Sequence, residues 1–226
     1  MSFQDVLSAF FSWEILRQAW PILLDGLVRT LLLSALVIPL GLGAGTMLAL
    51  LSTARNPLVR WPLMAWVDVF RALPPLVLLV FLYAGLPFAG IEVSAWGAVA
   101  IGFLLNTGAY YGEILRAGIE SVPAGQMEAA RSTGLSRGQA MAWVVLPQAV
   151  RNVLPDLISN TLEVVKLTSI ASVVALPELL FQARQAQSVT YNATPIVAAA
   201  VLYFLLLWPV VRLLSRLENR QLAGRR

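Results

Sequence analysis

Apolar residues in this chain come in long runs, not in the alternating or one-sided patterns of soluble strands and helices. A helix needs about 20 mostly apolar residues to cross roughly 30 Å of hydrocarbon. Three uncharged stretches meet that length: Thr30–Leu51, Ser188–Val211 and the shorter Val93–Gly112. Around Trp61–Leu86 the pattern continues through Asp68 and Arg71, three apart and so on one helix face. The uncharged run from Ala72 is long enough by itself, which predicts a second spanning helix with its charged pair near one interface. A fifth span is expected over about Leu154–Ala175, although Asp156, Glu163 and Lys166 interrupt it. The pattern predicts an all-α integral membrane protein with five transmembrane helices, a single domain over 1–226.

Composition strengthens this reading. Hydrophobic residues make up 58% of the 226 and charged residues only 12%, where a soluble domain carries about 25%. Mean hydropathy is +0.76. Cysteine and histidine are absent, which removes disulfides, thiol chemistry, imidazole metal sites and His-based acid–base catalysis. No metal site is expected. The pI near 10 would suit nucleic-acid binding, but the arginines lie between or after apolar spans, where they set orientation.

Five spans place the termini on opposite sides. If the loop at 52–60 is cytoplasmic, that side receives Arg55, Arg60, Arg116, Arg131, Arg137, Arg151, Arg212, Arg216, Arg220, Arg225 and Arg226. The other side keeps Arg17, Arg29 and Arg184. The bias predicts the N-terminus outside and the C-terminal tail, 212–226, in the cytoplasm. Residues 1–25 lack the basic n-region and cleavage site of a signal peptide. Their Trp13, Trp20 and several Phe suggest an interfacial helix at the outer surface.

Pro39, Pro195 and Pro209 fall inside apparent spans, and Pro74–Pro75 opens the uncharged part of the second; each predicts a kink or a break. Gly41, Gly43 and Gly45 follow no strand, so they predict close helix packing and not a phosphate loop.

A charged residue at the centre of a span costs about 2.5–3.5 kcal/mol on insertion scales, so Glu163 and Lys166 should face protein or water. Their i, i+3 spacing lets them neutralise each other. Lys166 is the only lysine in the chain. With Asn160, Thr161, Thr168, Ser169 and Ser172 they form a polar stripe. It either locks helix packing or lines a path for a zwitterionic or charged solute. Asn106, Thr107, Tyr110 and Tyr111 form a second polar cluster, for which interfacial anchoring and a pathway role are both open.

Residues 113–143 are polar and helix-prone. Ser121–Pro123 ends one element, a short helix carries Glu128, Ala129, Ala130 and Arg131, Gly134 breaks it, and Ser136 is a plausible N-cap for the next. A compact helix–Gly–helix with small alanines suits docking of a soluble partner, or is a hairpin with none.

The run Glu128–Ala129–Ala130–x3–Gly134–x9–Val144–x–Leu146–Pro147 resembles the EAA loop of ABC-transporter permeases, with Val144 where isoleucine is usual. NTGAYYGEILRAGIESVPAGQ (106–126) and LPQAVRNVLP (146–155) resemble the polar-amino-acid uptake family of binding-protein-dependent importers, the histidine/glutamine/arginine type. The likeness runs from about Leu24 through VDVFRALPPL (67–76) to the last span. It implies the type I ABC importer permease fold in a bacterial cytoplasmic (inner) membrane. Glu128, Ala129, Ala130 and Gly134 would form the coupling helix between spans 3 and 4 that enters a cleft on the ATPase subunit. Glu163, Lys166, Thr168 and Ser169 match the family's E-x-x-K-D-T-S stretch on the pathway helix, with Asn106 and Tyr110 as further pathway candidates. Leu167 replaces the usual aspartate, which argues against a strongly cationic substrate and slightly favours a neutral or acidic amino acid or related solute.

The resemblance implies a non-catalytic subunit with no cofactor of its own. ATP and Mg would be bound by partner ATPase subunits, since the chain has no G-x-x-x-x-G-K-[ST]. A second permease subunit, identical or related, and an extracytoplasmic amino-acid-binding protein would complete the assembly. Two rival classes remain at this point. An ion-coupled secondary transporter would use Glu163 and Lys166, but it leaves the 113–143 loop unexplained and no inverted repeat is visible. An intramembrane enzyme would have only the Lys166–Ser169 pair as a candidate dyad.

Overall fold

The computed structural model describes residues 3–54 and 56–223, with side chains from residue 7 to residue 216 except 55. Arg55, Arg225 and Arg226, used above for orientation, lie outside the described residues, and the Arg220 side chain does too. The helices are α1 (Phe3–Phe10), α2 (Trp13–Ser52), α3 (Pro57–Ala72), α4 (Pro75–Val80), α5 (Ala95–Glu120), α6 (Ala124–Ser132), α7 (Arg137–Ala140), α8 (Leu146–Asn152), α9 (Leu154–Leu167), α10 (Leu179–Thr190) and α11 (Thr194–Ala223). A π-helical turn and a short 3₁₀ turn carry α4 on to Ala89, a π-helical turn joins α7 to α8, and a 3₁₀ stretch, Thr168–Val174, prolongs α9. No strand occurs among the described residues.

Among the described residues, Leu7–Ser52, Leu154–Val174 and Thr194–Arg216 are long and apolar enough to cross a membrane, and α3 with α4 and its following turns qualifies as a broken pair. At 26 residues α5 has the length but is not in that set. Asn106, Thr107, Tyr110 and Tyr111 lower its apolarity.

Two boundaries differ from the sequence expectation. Residues 13–25 are continuous with the first span as one 40-residue helix, α2, about 60 Å long and twice the hydrocarbon thickness. Asp25 and Arg29, which look like an interface, pair with each other at 2.9 Å one turn apart and so leave the helix unbroken. The last span begins at Thr194, not Ser188. α10 ends at Thr190 and is capped by Tyr191, whose φ of 48° is left-handed, and the Asn192 side chain accepts from Thr194 N at 2.9 Å. Pro195 therefore sits in the first turn of α11, where a missing N–H costs nothing. Hydropathy does not see this break because every residue in it is uncharged.

The chain divides into two compact units. The first comprises residues up to Val37, Leu76–Gly102 and Leu162–Arg216. Its core joins Ala19 and Leu23 of α2, Leu179 and Ala183 of α10, and Ala199 of α11. Gly26 permits the approach of α10: a Cβ there would lie 2.9 Å from Leu179 Cα. The start of α11 is tied to α1, with Ser12 N donating to Thr194 Oγ1 at 2.9 Å, Asn192 Nδ2 to Ser8 O at 2.9 Å, and Ala193 N to Ala9 O at 2.9 Å.

The second unit comprises Ile38–Pro75, Phe103–Thr161 and the residues from Leu217. Here the second half of α2 packs on α5 through small residues. A Cβ on Gly41 would overlap Thr107 Oγ1, and one on Gly45 would lie 2.5 Å from Tyr111 Cβ and 2.7 Å from Gly112 N. Across the contact Gly108 meets Ala44, and Gly112 meets Leu48. This is small-residue packing of the kind that lets helices approach in lipid, where van der Waals contact replaces the hydrophobic drive. Gly43 has open space around it and takes no part.

Gly45→Ala should therefore lower the thermal midpoint of the detergent-solubilised chain, since overpacking against backbone costs about 1–3 kcal/mol. Gly43→Ala should leave the midpoint unchanged or raise it, since helix propensity adds up to about 1 kcal/mol of stability. Equal shifts for the two variants would contradict the packing described.

Candidate functional site

The expected polar stripe lies on α9 and its 3₁₀ extension. Lys166 Nζ contacts Glu163 Oε1, and both side chains are about half exposed, at 49% and 58%. The pair is thus self-neutralised yet reachable. Ser169, half-buried, donates to Lys166 O at 2.7 Å, and Thr168, fully buried, donates to Val165 O at 2.7 Å. These back-bonds fall where the α-helix tightens into 3₁₀, which ends at Ala175 with φ 56°. Of Glu163, Lys166, Thr168 and Ser169, Thr168 faces the interior and the other three are accessible.

Asn106 and Tyr110 sit one turn apart on α5, and both donors are engaged. Asn106, 2% exposed, donates from Nδ2 to Phe70 O at 2.9 Å, and the Tyr110 hydroxyl donates to Arg71 O at 3.3 Å. Thr107 bonds back to Phe103 O at 2.6 Å, and Tyr111, buried, shares a 2.7 Å hydrogen bond with Thr161 Oγ1.

Asp68 and Arg71 do not pair with each other. The Arg71 guanidinium lies 5.5 Å from the Tyr110 ring centroid and 3.8 Å from Glu113 Oε1. Glu113 is gripped by Arg116 through two bonds, Nε to Oε2 at 2.8 Å and Nη2 to Oε1 at 2.6 Å, while Arg116 Nη1 reaches Glu120 Oε1 at 2.6 Å. The fork-to-fork Arg116 contact holds the Glu113 carboxyl below its usual range, with the charges of Arg116 and Arg71 acting the same way against burial. The same contact raises the Arg116 pKa further. A cavity of about 70 Å³ adjoins these charges, lined among others by Ser52, Asp68, Glu113 and Arg116.

The loop residues matched to a coupling helix lie on α6 and just beyond. α6 packs through Met127 against a small core of Val122, Val145 and Ala149, and Ala130 is buried, while Glu128 and Ala129 are exposed. Gly134 ends the element with φ 92°, a backbone conformation that suits glycine, although a Cβ there would meet nothing within 4 Å. Ser136 caps α7 in a reciprocal capping box with Gln139. Arg137 Nη2 donates to Thr53 O at 3.3 Å, which ties this hairpin to the end of α2.

Sequence reasoning missed Glu178. Its side chain is fully buried and accepts from Leu180 N and Phe181 N, both at 2.8 Å, and from the Tyr203 hydroxyl at 3.0 Å. Thr30 Oγ1 accepts from Leu179 N at 3.1 Å, so the first turn of α10 is fully satisfied. Burial pushes the Glu178 carboxyl above the usual range and these donors oppose it. The legible signal was a lone carboxylate between apolar runs, directly after Pro177 and at an N-cap position.

Long apolar helices, a broken span and side chains spent on satisfying backbone breaks define a polytopic helical membrane protein. The family model for the inner membrane component of binding-protein-dependent transport systems matches residues 38–222. The chain belongs to that family. It is 40% identical over 174 residues, 77% of each chain, to the probable amino-acid ABC transporter permease protein YckA of Bacillus subtilis. It is 33% identical, over 96% of this chain and 99% of the relative, to the probable glutamine ABC transporter permease protein GlnP of the same organism. The crystal structure of an amino acid ABC transporter with histidines superposes with a TM-score of 0.83 at 34% identity, covering 93% of this chain and 99% of that one. The architecture is the type I ABC importer permease fold.

Because the Glu113 pKa is depressed, its pairing stabilises the fold above the unfolded carboxylate pKa of about 4.3 and is lost as pH falls through the lower folded value. Glu113→Gln should cost about 1 kcal/mol at pH 7, the upper end for a partly exposed pair. The gap from the parent chain should close below about pH 4 in thermal unfolding. A gap independent of pH would exclude the ion pair as its source.

Proposed function

We propose that the chain is the membrane-spanning subunit of an ATP-driven importer that carries an amino acid or a related small polar solute across the bacterial cytoplasmic membrane. The observation that carries this reading is likeness, over 77% to 96% of the chain, to proteins named as amino-acid or glutamine permeases and to an amino acid ABC transporter of known structure. Two permease subunits, identical or related, enclose the pathway. An extracytoplasmic amino-acid-binding protein delivers the solute, and separate ATPase subunits bind ATP and Mg. The N-terminus is outside and the C-terminus cytoplasmic, with α5 as a further pass. Family membership leaves the ion-coupled alternative without support.

In this mechanism the ATPase closes on the exposed face of α6, with Glu128 and Ala129 as contact residues, Ala130 and Met127 as the buried anchor, and Gly134 as the turn that frees the helix end. The hydrogen bond from Arg137 to the end of α2 gives the pull one route to the membrane helices. On the solute side, Glu163 and Lys166 offer opposite charges to a zwitterion at half-exposed positions, with Ser169 beside them. Thr168 holds the 3₁₀ start from within. Both charges are satisfied by each other in the absence of solute, so the pair can exchange partners without leaving a bare charge in the membrane.

Glu128→Lys and Gly134→Trp should each reduce permease-dependent ATPase stimulation roughly tenfold, as for loss of a central interface contact, with membrane insertion unchanged. Unaltered stimulation in both would count heavily against docking at α6. Lys166→Ala and Glu163→Ala should each cut solute uptake roughly tenfold or more in proteoliposomes by leaving one charge unpaired. Arg184→Ala should do much less. Normal uptake by both α9 variants would remove the pathway role.

A further inference from the structure

The two prolines at the break between α3 and α4 leave two specific backbone acceptors without an amide donor. In an α-helix the N–H of residue i bonds to the carbonyl of residue i−4. Phe70 O would be served by residue 74 and Arg71 O by residue 75, and both positions are proline, which has no N–H. The residue before them, Leu73, has left the helix, with φ −74° and ψ 128°, as the residue preceding a proline tends to. Its own N–H still closes the preceding turn onto Val69 O at 3.0 Å, so the shortfall begins at Phe70. A buried carbonyl left without a donor loses its hydration with no return, and broken helices persist in membrane proteins only where something else re-satisfies the freed groups.

We propose that Asn106 and Tyr110 are positioning residues that replace, one for one, the amide hydrogens missing at Pro74 and Pro75. Asn106 Nδ2 serves Phe70 O at 2.9 Å and the Tyr110 hydroxyl serves Arg71 O at 3.3 Å. The match is twofold. Two consecutive carbonyls are orphaned by two consecutive prolines, and two donors one turn apart on a single face of α5 reach them, the longer side chain making the longer bond. The Tyr110 ring adds a hold on the same turn by lying 5.5 Å from the Arg71 guanidinium. Asn106 is too buried to meet a solute, at 2% exposure, and its carbonyl partner explains why a polar side chain is there. The break in the second span is thus encoded in two distant segments, Pro74–Pro75 and Asn106–Tyr110, and neither sustains it alone. This role is separate from solute binding by Glu163 and Lys166 and does not depend on which solute is carried.

Isotope labelling reads the first bond directly. Phe–Arg occurs once in the chain, at 70–71, so protein made with carbonyl-¹³C phenylalanine and ¹⁵N arginine gives a single Phe70 carbonyl resonance by solid-state NMR in lipid bilayers. Asn106→Leu, which keeps the shape and removes the donor, should move that resonance upfield. Arg–Ala occurs twice, at 71–72 and 116–117, and in the Arg/Ala-labelled protein Tyr110→Phe, which keeps the ring over Arg71, should move one of the two signals and leave the other. Each variant should lower the thermal midpoint of the full chain by roughly 2–8 °C. A Phe70 carbonyl unmoved in Asn106→Leu overturns the proposal, whether or not uptake falls. So does a Tyr110→Phe protein in which neither Arg–Ala signal moves. These readouts need no transport, so they stand or fall apart from the importer reading.

Discussion

In hydrocarbon every backbone N–H and C=O must find its partner inside the protein, and this constraint explains more of the molecule than any single contact. Unbroken helices meet it at no cost. The places that need explanation are where the chain leaves a helix, and at three of them side chains from another segment or from the turn itself supply partners. Asn106 and Tyr110 donate to Phe70 O and Arg71 O. Glu178 and Thr30 accept from the first three N–H groups of α10. Asn192 and Thr194 close the turn before α11. Several polar residues in the apolar layers are therefore part of the backbone's own hydrogen bonding, which leaves fewer for a solute.

Within that frame, small residues set how closely helices approach. Gly41 and Gly45 on α2 meet Thr107, Tyr111 and Gly112 on α5 at distances that leave no room for a methyl group. Gly26 brings α10 against α2 in the same way. Close approach lets short side chains such as Thr30 reach a neighbouring backbone, so glycine packing and polar satisfaction work together.

The charges that remain fall into two kinds. Arg71, Glu113, Arg116 and Glu120 form a chain of contacts along one end of α5, where each carboxylate has a guanidinium partner. Glu163 and Lys166 form an isolated pair that is half exposed. The first kind fixes structure, because its members are held from several directions. The second has a single charged partner each, and both side chains are half exposed. α6 shows the same division on the surface: Met127 and Ala130 anchor it, while Glu128 and Ala129 are left outside.

By itself the sequence determined the solvent, the helical class and the family, because apolar run length and a contiguous motif are properties of neighbouring residues. It also located the Gly134 turn, the Ser136 cap and the Glu163–Lys166 pair, all of which depend on spacings of four residues or fewer. The start of α11 was missed because its cap lies in an uncharged stretch, and residues 13–25 of the expected N-terminal segment proved continuous with α2, with Asp25 and Arg29 paired one turn apart on the same helix. Only the tertiary structure decided what Asn106, Tyr110 and Glu178 do. Their partners lie 36 and 39 residues away for the first two, and Tyr203 lies 25 residues from Glu178. A donor and an acceptor that distant in the chain are joined by helix packing, and no local pattern records which carbonyl a side chain will meet.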